Sequence, residues 1–245
     1  AFMEPVSWFL TGMEKHSDDY RQDLLGNADS FVGAMAYHGA NMAMPSWLTA
    51  MNELSNHDHS RFLTRTNRRV GRTNSLGAEA ANHDVKKAVL LEAVVMQMTW
   101  PGAPTVYYGD EAGMVGWTDP DNRRSYPWGK QDWELIEFHK DMIRIHKKYE
   151  CFRSGSYKSI ASGSHWICYG RFNKKLQAVI LINNRRETLT VDLPIWQIGI
   201  LENACLKRVI QTTQSTYNVG EVMERAEDGI LHVTVGPQTA SVYLS

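Results

Sequence analysis

The stretch SWLTAMNELSNHDHSRF, residues 46–62, decides how the first half of the chain is interpreted. Its opening, SWLTAMNEL, predicts a β-strand, and the polar tripeptide Asn56-His57-Asp58 follows where that strand ends. In α/β folds with parallel strands, catalytic and ligand-binding groups gather at the carboxyl ends of the strands. His57 and Asp58 are therefore predicted to face a shared cleft, although an Asx-turn with an exposed histidine would explain the same letters.

The same tripeptide recurs as Asn82-His83-Asp84 in a different setting. It stands directly before VKKAVLLEAVVMQM, which begins at Val85 and is apolar on nearly every side. An asparagine or aspartate side chain in that place accepts hydrogen bonds from the free N–H groups of the first helical turn. The second copy therefore predicts a helix cap, followed by a buried helix.

The first 150 residues alternate strand-like and helical patterns. AFME at residues 1–4 and TVYYG at residues 105–109 predict two further strands, and Asp132 predicts the cap of the last helix. Strands that alternate with helices imply a parallel sheet with right-handed crossovers.

After Tyr149 the pattern changes to short β-rich runs that are separated by Gly, Asn and Asp. Such runs predict an antiparallel sandwich or barrel over residues 151–245, without a helix longer than two turns. We expect its core to include Trp166, Val179, Leu181 and Val233. The fold class is thus α/β plus all-β, with a boundary near residue 150.

The composition favours no polyanionic or membrane partner. The 245 residues carry a net charge of −1 and are 43% hydrophobic, and no apolar run is long enough to span a bilayer. One basic cluster, Arg65, Arg68, Arg69 and Arg72, has the charge of a phosphate-binding patch. We interpret it as a solvated loop, because no RNA-module signature or stacking platform accompanies it. The three cysteines have no metal-ligand spacing and predict neither disulfides nor a zinc site.

Two segments resemble the α-amylase family of glycoside hydrolases in their order and spacing: ELSNHDHSRFLT at residues 53–64 and WPGAPTVYYGDEAGM at residues 100–114. The loop TDPDNRR, which ends in Pro-Trp a few residues later, is similar to the neopullulanase, cyclomaltodextrinase and maltogenic amylase branch. The resemblance implies that residues 1–150 are the last three βα units of a TIM (β/α)8 barrel. It implies that residues 151–245 are an antiparallel β-sandwich domain, and that the ligand is an α-linked glucan such as starch, maltodextrin, pullulan or a cyclodextrin.

The resemblance also implies roles for individual residues. Asp58 matches the third family carboxylate, which binds sugar hydroxyls and distorts the ring towards the transition state, and His57 matches a histidine on the same sugar. Asp119 and Arg123 match a pair that grips a glucose farther towards the non-reducing end. Trp117, in a glycine-flanked polar loop, is expected to be a sugar-stacking surface.

Three other charged residues near these positions are expected to support the loops. Asp110 and Glu111 follow the predicted strand TVYYG and should fix the loop that begins there, with an orientation towards the substrate as the alternative. Arg61 should pair with a carboxylate rather than contact sugar.

Retaining glycoside hydrolysis needs a nucleophilic carboxylate and an acid/base carboxyl about 5–5.5 Å apart. The resemblance places both of these groups upstream of Ala1, so a fragment of a longer hydrolase, inactive by itself, is expected. Neither a cofactor nor a metal is expected, calcium included. The barrel edge at residues 1–4 would be exposed and would favour self-association.

Two other readings stay open. A non-catalytic carbohydrate-binding module would bind glucan without cleaving it. A TIM barrel with phosphate chemistry would need a glycine-rich phosphate loop, whereas YGDEAG places acids there. Linkage preference, and hydrolysis as opposed to transglycosylation, are also left open.

Overall fold

The computed structural model of the protein describes residues 2–201 and 203–245. Two short strands and a series of helices make up the first part. In chain order these elements are α1 (Met3–Thr11), α2 (Ala28–Ala40), α3 (Met44–Thr49), β1 (Met51–Glu53), α4 (Phe62–Arg65), α5 (Thr73–Leu76), α6 (Lys87–Thr99), β2 (Ala103–Thr105), α7 (Trp133–Lys148) and α8 (Glu150–Ser154).

The strands β1 and β2 pair in parallel, with Met51 opposite Ala103 and Glu53 opposite Thr105. The buried helix α6 lies between them in sequence, as predicted for a strand–helix–strand crossover. Gln97 on α6 fixes this arrangement, because its Nε2 donates to the backbone oxygens of Asn52 (3.0 Å) and Thr105 (2.9 Å). The carboxyl ends of both strands therefore open towards the same side.

The predicted strand at residues 1–4 is wrong for the residues that the structure describes. Met3 and Glu4 already belong to helix α1, and Phe2 is its N-cap residue. Proline is accepted in a first helical turn because its missing N–H would have no partner there, so Pro5 lets the helix begin two residues before it. The predicted exposed strand edge is therefore not found at residues 2–4, and Ala1 lies outside the described residues.

The strand predicted from SWLTAMNEL is shorter than expected. Residues Met44–Thr49 form helix α3, which has proline in its first turn, and only Met51–Glu53 are extended. The apolar letters of this run indicated burial but did not separate a short helix from a strand.

The helix cap predicted at Asp84 is also wrong, whereas the cap at Asp132 is confirmed. Asp132 accepts a hydrogen bond from Leu135 N at 3.0 Å and begins α7. The N-cap residue of α6 is Lys86, whose N–H donates to Thr66 Oγ1 at 2.7 Å. Asp84 lies upstream with φ +58°, and its carboxylate pairs instead with Arg69. A tertiary contact, rather than a local cap, thus fixes the chain where it enters α6.

The strands of the second part form one antiparallel sheet, in the order β3-β4-β5-β10-β7-β8-β9-β6. They are β3 (Ser156–Gly163), β4 (Trp166–Phe172), β5 (Gln177–Asn183), β6 (Leu189–Pro194), β7 (Ala204–Thr212), β8 (Tyr217–Glu227), β9 (Ile230–Val235) and β10 (Thr239–Leu244). Strands β3 and β6, at the two ends of this order, contact each other, so the sheet curves around its own interior. Within the described residues after 154, the helical segment is a short 3-10 turn, as predicted.

The curved sheet buries side chains on both faces. Along β5, Ile180 and Ile182 face a core shared with the helices, and Val179 and Leu181 face the core inside the sheet. The predicted core is confirmed, because Val179 and Leu181 are buried with Val233, and Trp166 packs against them.

Buried polar contacts also join the sheet to the helices. Arg171 on β4 is fully buried, and it donates to Thr99 O at 2.7 Å and to Gly155 O at 3.0 Å. Burial lowers the pKa of Arg171 to about 10. The Tyr169 hydroxyl lies 2.6 Å from Thr99 Oγ1. The end of α6 is therefore anchored to the sheet by paired polar groups within an apolar core.

Candidate active site

The candidate site lies in the two loops that follow β1 and β2. Because these strands are parallel and adjacent, the loops at residues 54–61 and 106–132 begin side by side. The first loop carries His57 and Asp58, and the second carries Asp119 and Arg123. The four polar residues singled out in the sequence are thus borne by neighbouring loops.

Asn56 shapes the first loop. Its Oδ1 accepts from Asp58 N (3.0 Å) and His59 N (3.1 Å), which forms an Asx-turn, and its Nδ2 donates to Glu53 Oε1 at the end of β1. The turn leaves the side chains of His57 and Asp58 64% and 60% exposed, with His57 Nε2 3.4 Å from Asp58 Oδ1. The Asx-turn that the sequence left open is therefore formed, and it presents both side chains beyond the end of the strand.

The second loop holds the backbone of this turn through its carbonyl groups. Asn122 Nδ2 donates to Asn56 O (3.0 Å) and to His59 O (2.6 Å). Thr118 Oγ1 donates to Asp58 O at 2.6 Å, and Arg123 Nε donates to His57 O at 3.2 Å. Every carbonyl from residue 56 to residue 59 thus accepts a hydrogen bond from a side chain of the second loop. We call these four hydrogen bonds the latch. The latch fixes the backbone of the turn, and the exposed side chains of His57 and Asp58 stay available to a ligand.

Arg61, near the end of the first loop, connects it to the second loop through hydrogen bonds from its buried side chain. It is fully buried, and it donates to Asn122 O (2.9 Å), Tyr108 O (2.6 Å) and Asp110 Oδ1 (2.9 Å). Its guanidinium lies 4.0 Å from the centre of the Tyr107 ring. Burial raises the pKa of Asp110, and the charge of Arg61 opposes that rise. The prediction that Arg61 pairs with a carboxylate is confirmed.

The loop-fixing role expected for Asp110 and Glu111 is also confirmed. Asp110 is buried against Arg61, and Glu111 Oε2 accepts from Gly109 N at 2.8 Å. Gly109 has φ +86°, and a Cβ there would overlap the Met114 side chain, so the turn after β2 requires glycine.

Asp119 and Arg123 form an ion pair at the rim of the site. Arg123 Nε lies 2.6 Å from Asp119 Oδ1, and each side chain is 48% exposed. The same Arg123 nitrogen donates to His57 O, so the pair is tied to the turn that carries Asp58. These two side chains are therefore held beside His57 while they remain accessible.

The expectation for Trp117 is corrected by its burial. Its side chain is fully buried, and its Nε1 donates to Gly77 O at 3.0 Å. A sugar needs an exposed ring face for stacking, and this ring presents none. The exposed aromatic side chains of this loop are instead Tyr108 and Trp128, and Trp128 is 79% exposed with its ring 4.6 Å from that of Tyr126.

A pair of histidines beside the turn was missed in the sequence. His16 and His59 have ring centroids 4.6 Å apart, and His16 Nδ1 lies 3.0 Å from Thr118 Oγ1. Burial, and then the neighbouring His16 and Lys15, lower the pKa of His59 to about 4. The letters His57-Asp58-His59 signalled a second histidine, but nothing in the sequence brings residue 16 next to residue 59.

Neither a metal site nor a membrane span is found in residues 2–201 and 203–245. No group of three or more His, Cys, Asp or Glu side chains could hold an ion there. No described helix has the length and apolar character needed to cross a bilayer.

Comparison with known proteins shows which family the chain is similar to. Residues 14–179 match the family described as alpha amylase, catalytic domain. The chain is 35% identical over 128 residues to an amylopullulanase of Thermoanaerobacter thermohydrosulfuricus, a match that covers 52% of the chain and 8% of that protein. It is 30% identical over 202 residues to neopullulanase 2 of Thermoactinomyces vulgaris, which covers 81% of the chain and 30% of that protein.

Solved structures of similar fold include a debranching enzyme from Nostoc punctiforme. It has a TM-score of 0.75 at 22% identity, over 100% of this chain and 46% of that one. A cyclomaltodextrinase structure has a TM-score of 0.68 at 21% identity, over 98% of this chain and 36% of that one. The chain thus spans less than half the length of these relatives and neighbours. From the family match over most of its length, the chain belongs to the α-amylase family of glycoside hydrolases.

Proposed function

We propose that this chain is the C-terminal part of an α-amylase-family glycoside hydrolase that acts on α-linked glucans. In this proposal residues 1–150 are the last three βα units of a TIM barrel, and residues 151–245 are a β-sandwich domain built from the curved sheet. The observation that carries the proposal is the latch, in which the second loop holds every carbonyl of the Asn56–His59 turn and leaves Asp58 and His57 exposed.

The open edges of the parallel strands support an incomplete barrel. Within the described residues β1 and β2 are hydrogen-bonded only to each other, so each has an outer edge on which a further strand can pair. In the whole protein these edges would receive the neighbouring barrel strands. In the 245-residue chain alone the same edges would permit self-association, at a different place from the predicted edge at residues 1–4.

The chemistry assigned to the exposed residues is recognition of hydroxyl groups. The Asp58 carboxylate accepts from two adjacent sugar hydroxyls, and His57 hydrogen-bonds a hydroxyl of the same sugar. Asp119 and Arg123 bind a second glucose, for which the guanidinium supplies donors in a fixed fork. These interactions accelerate cleavage only if they strengthen as the ring is distorted towards the transition state.

The two carboxyl groups that break the bond are proposed to lie outside this sequence. We therefore expect the 245-residue chain to release no reducing sugar from maltodextrin or pullulan above a blank. The protein that includes the upstream segment should cleave these glucans. In that longer protein Asp58→Asn should reduce kcat by about 10³-fold or more, because one member of a catalytic set has been removed.

The repeated tripeptide supplies a matched control for this experiment. Asp84→Asn changes the same residue type in the same sequence context, but Asp84 pairs with Arg69 and takes no part in the latch. It should leave kcat within about twofold of the unchanged protein, since surface substitutions away from a site have small effects. Unchanged turnover in Asp58→Asn would refute the role of Asp58, and Asp58-dependent cleavage by the 245-residue chain would refute the fragment interpretation.

A non-catalytic glucan-binding role is the second candidate, and one observation favours it. Trp128 is 79% exposed and lies against Tyr126, which is a suitable surface for stacking on a sugar ring. In this case the 245-residue chain should bind maltodextrin, Trp128→Ala should abolish binding, and Asp58→Asn should leave the affinity unchanged. Loss of binding in Asp58→Asn with binding retained in Trp128→Ala would instead favour the hydrolase.

A further inference from the structure

Two adjoining cavities lie where the segment after α4 meets the turns at one end of the curved sheet. Their volumes are about 300 Å³ and 360 Å³, and both are lined by Arg68, Arg186 and Gln238. We call the two cavities together the basic groove. None of its lining residues belongs to the loops that carry Asp58 and Asp119, so it is separate from the candidate active site.

Positive charge predominates in the basic groove. Its cationic lining residues are Arg68, Lys86, Arg185 and Arg186, and its carboxylates are Glu187 and Asp84. Asp84 is already paired with Arg69. In the described part of the chain, none of the four cationic side chains forms an ion pair with a carboxylate.

The cations are close enough to affect one another. Burial lowers the pKa of Arg68, Tyr20 opposes that fall through its charge and a hydrogen bond, and the charge of Arg186 lowers the pKa further. His165, another lining residue, has its pKa lowered by burial and then by Arg68 and Arg185. Like charges that face each other without a counter-ion favour an anion between them.

The backbone of the groove is unusual in the same place. Left-handed φ values occur at Arg68 (+60°), His165 (+64°), Gln238 (+46°) and Asp84 (+58°), all of which line it. Only two other non-glycine residues in the described chain, Ser17 and Asp228, have positive φ. Such conformations are uncommon for arginine and glutamine, and they cluster at ligand clamps and functional sites.

Hydrogen bonds hold the groove in a fixed shape. Asn184 Nδ2 donates to Leu10 O (3.0 Å), which ties the turn after β5 to helix α1. Arg185 Nε donates to Ser164 O at 3.0 Å, and Arg185 O accepts from Gln238 N at 2.9 Å. Three of the turns that line the groove, those that carry Ser164, Arg185 and Gln238, are therefore joined to one another before any ligand binds.

The basic groove also accounts for the arginine cluster that the sequence singled out. Arg65 is fully buried and donates to Leu54 O, Arg69 pairs with Asp84, and Arg72 pairs with Asp18. Arg68 is the member of the cluster that is left facing a cavity beside other cations. The interpretation as a solvated loop is therefore wrong for the buried Arg65, and it does not account for Arg68.

We propose that the basic groove binds a phosphoryl group, which is carried either by free phosphate or by a phosphorylated sugar. Arginine suits this ligand because its planar fork donates two parallel hydrogen bonds to a tetrahedral oxyanion. Arg68 and Arg186 line both cavities and contact the phosphoryl group directly. Arg185 and Lys86, which each line one of the cavities, add positive charge on either side of it. This inference does not depend on the proposed glucan hydrolysis.

The test is calorimetric titration of the 245-residue chain at low ionic strength with inorganic phosphate, glucose 6-phosphate and glucose. We expect saturable binding of a phosphorylated ligand and none of glucose. Tighter binding of glucose 6-phosphate than of phosphate would support the proposal with a phosphorylated sugar as the source, and equal binding would support it with free phosphate. The affinity should fall as salt is added, because charges near the surface are screened.

Substitutions separate the groove from general surface charge. The double variant Arg68→Asn with Arg186→Gln should weaken binding by about tenfold or more, and asparagine tolerates the left-handed φ at position 68. Arg225→Gln, an exposed arginine on β8, is the matched control and should change the affinity by less than about twofold. Circular dichroism would verify that each variant is folded. Absence of binding of both inorganic phosphate and glucose 6-phosphate, or equal loss in the control and the double variant, would overturn the proposal.

Discussion

Arg61 is the residue whose replacement tests most directly how the two site loops are held together. In the variant Arg61→Ala three hydrogen bonds to the second loop are lost, and Asp110 keeps a carboxylate that is 7% exposed and has lost its cation. Removing one partner of a buried ion pair costs about 3–5 kcal/mol. We therefore expect the free energy of unfolding to fall by about that amount, which is a large share of the stability of an ordinary domain.

The measurement is urea unfolding followed by fluorescence, with Arg123→Ala as the matched control. Arg123 also pairs with an aspartate, Asp119, but both side chains of that pair are about half exposed, so the removal of Arg123 should cost less than about 1 kcal/mol. A third variant, Arg61→Met combined with Asp110→Leu, should recover much of the loss, because an apolar pair of similar size needs no counter-charge. If Arg61→Ala and Arg123→Ala destabilise the protein equally, the description of Arg61 as a buried connection between the loops is wrong.

Three further predictions concern groups outside this pair. Glu92 on α6 is fully buried, neither carboxylate oxygen has a partner in the described chain, and burial raises its pKa well above 4.5. Between about pH 4.5 and the folded-state pKa, the folded state holds a proton on Glu92 that the unfolded state releases. The free energy of unfolding therefore falls by about 1.4 kcal/mol for each pH unit as the pH rises through this range. The variant Glu92→Gln should unfold at a higher urea concentration than the unchanged chain at pH 7, but not at pH 4. His59, whose pKa is lowered to about 4, should remain neutral in NMR titrations down to about pH 5. Its contribution to the free energy of unfolding should be lost as the pH falls from about 6.5 to about 4. An NMR titration midpoint near pH 6.5 would contradict its burial. The variant Asp84→Ala should lower the free energy of unfolding by less than about 1 kcal/mol, since it breaks an exposed ion pair. A loss near 2 kcal/mol in urea unfolding would instead support the helix cap that was predicted from the sequence.

The sequence determined those features that depend on local pattern. The predominantly apolar character of residues 85–98 is enough to place a buried helix, and Asp132 caps α7 because the capping hydrogen bond reaches only to Leu135. The continuous apolar run AVILI in LQAVILINN marks a strand that is buried on both faces, which is why the core residues Val179 and Leu181 were predicted correctly. In each of these cases the interaction that fixes the structure connects residues close in the chain, or follows from hydrophobic burial alone.

Other features were decided only by the tertiary structure. The tripeptide Asn82-His83-Asp84 has the residue types of a helix cap, but Lys86 N donates to Thr66 and Asp84 forms an ion pair with Arg69. Contacts between distant segments therefore outweigh the weak local preference for capping. Trp117 lies in a polar stretch and is nonetheless fully buried. The latch on the Asn56–His59 turn joins carbonyls to side chains about sixty residues away. Every residue has the same backbone carbonyl group, so a pattern of side chains cannot predict which carbonyl a distant Asn, Thr or Arg side chain will bind.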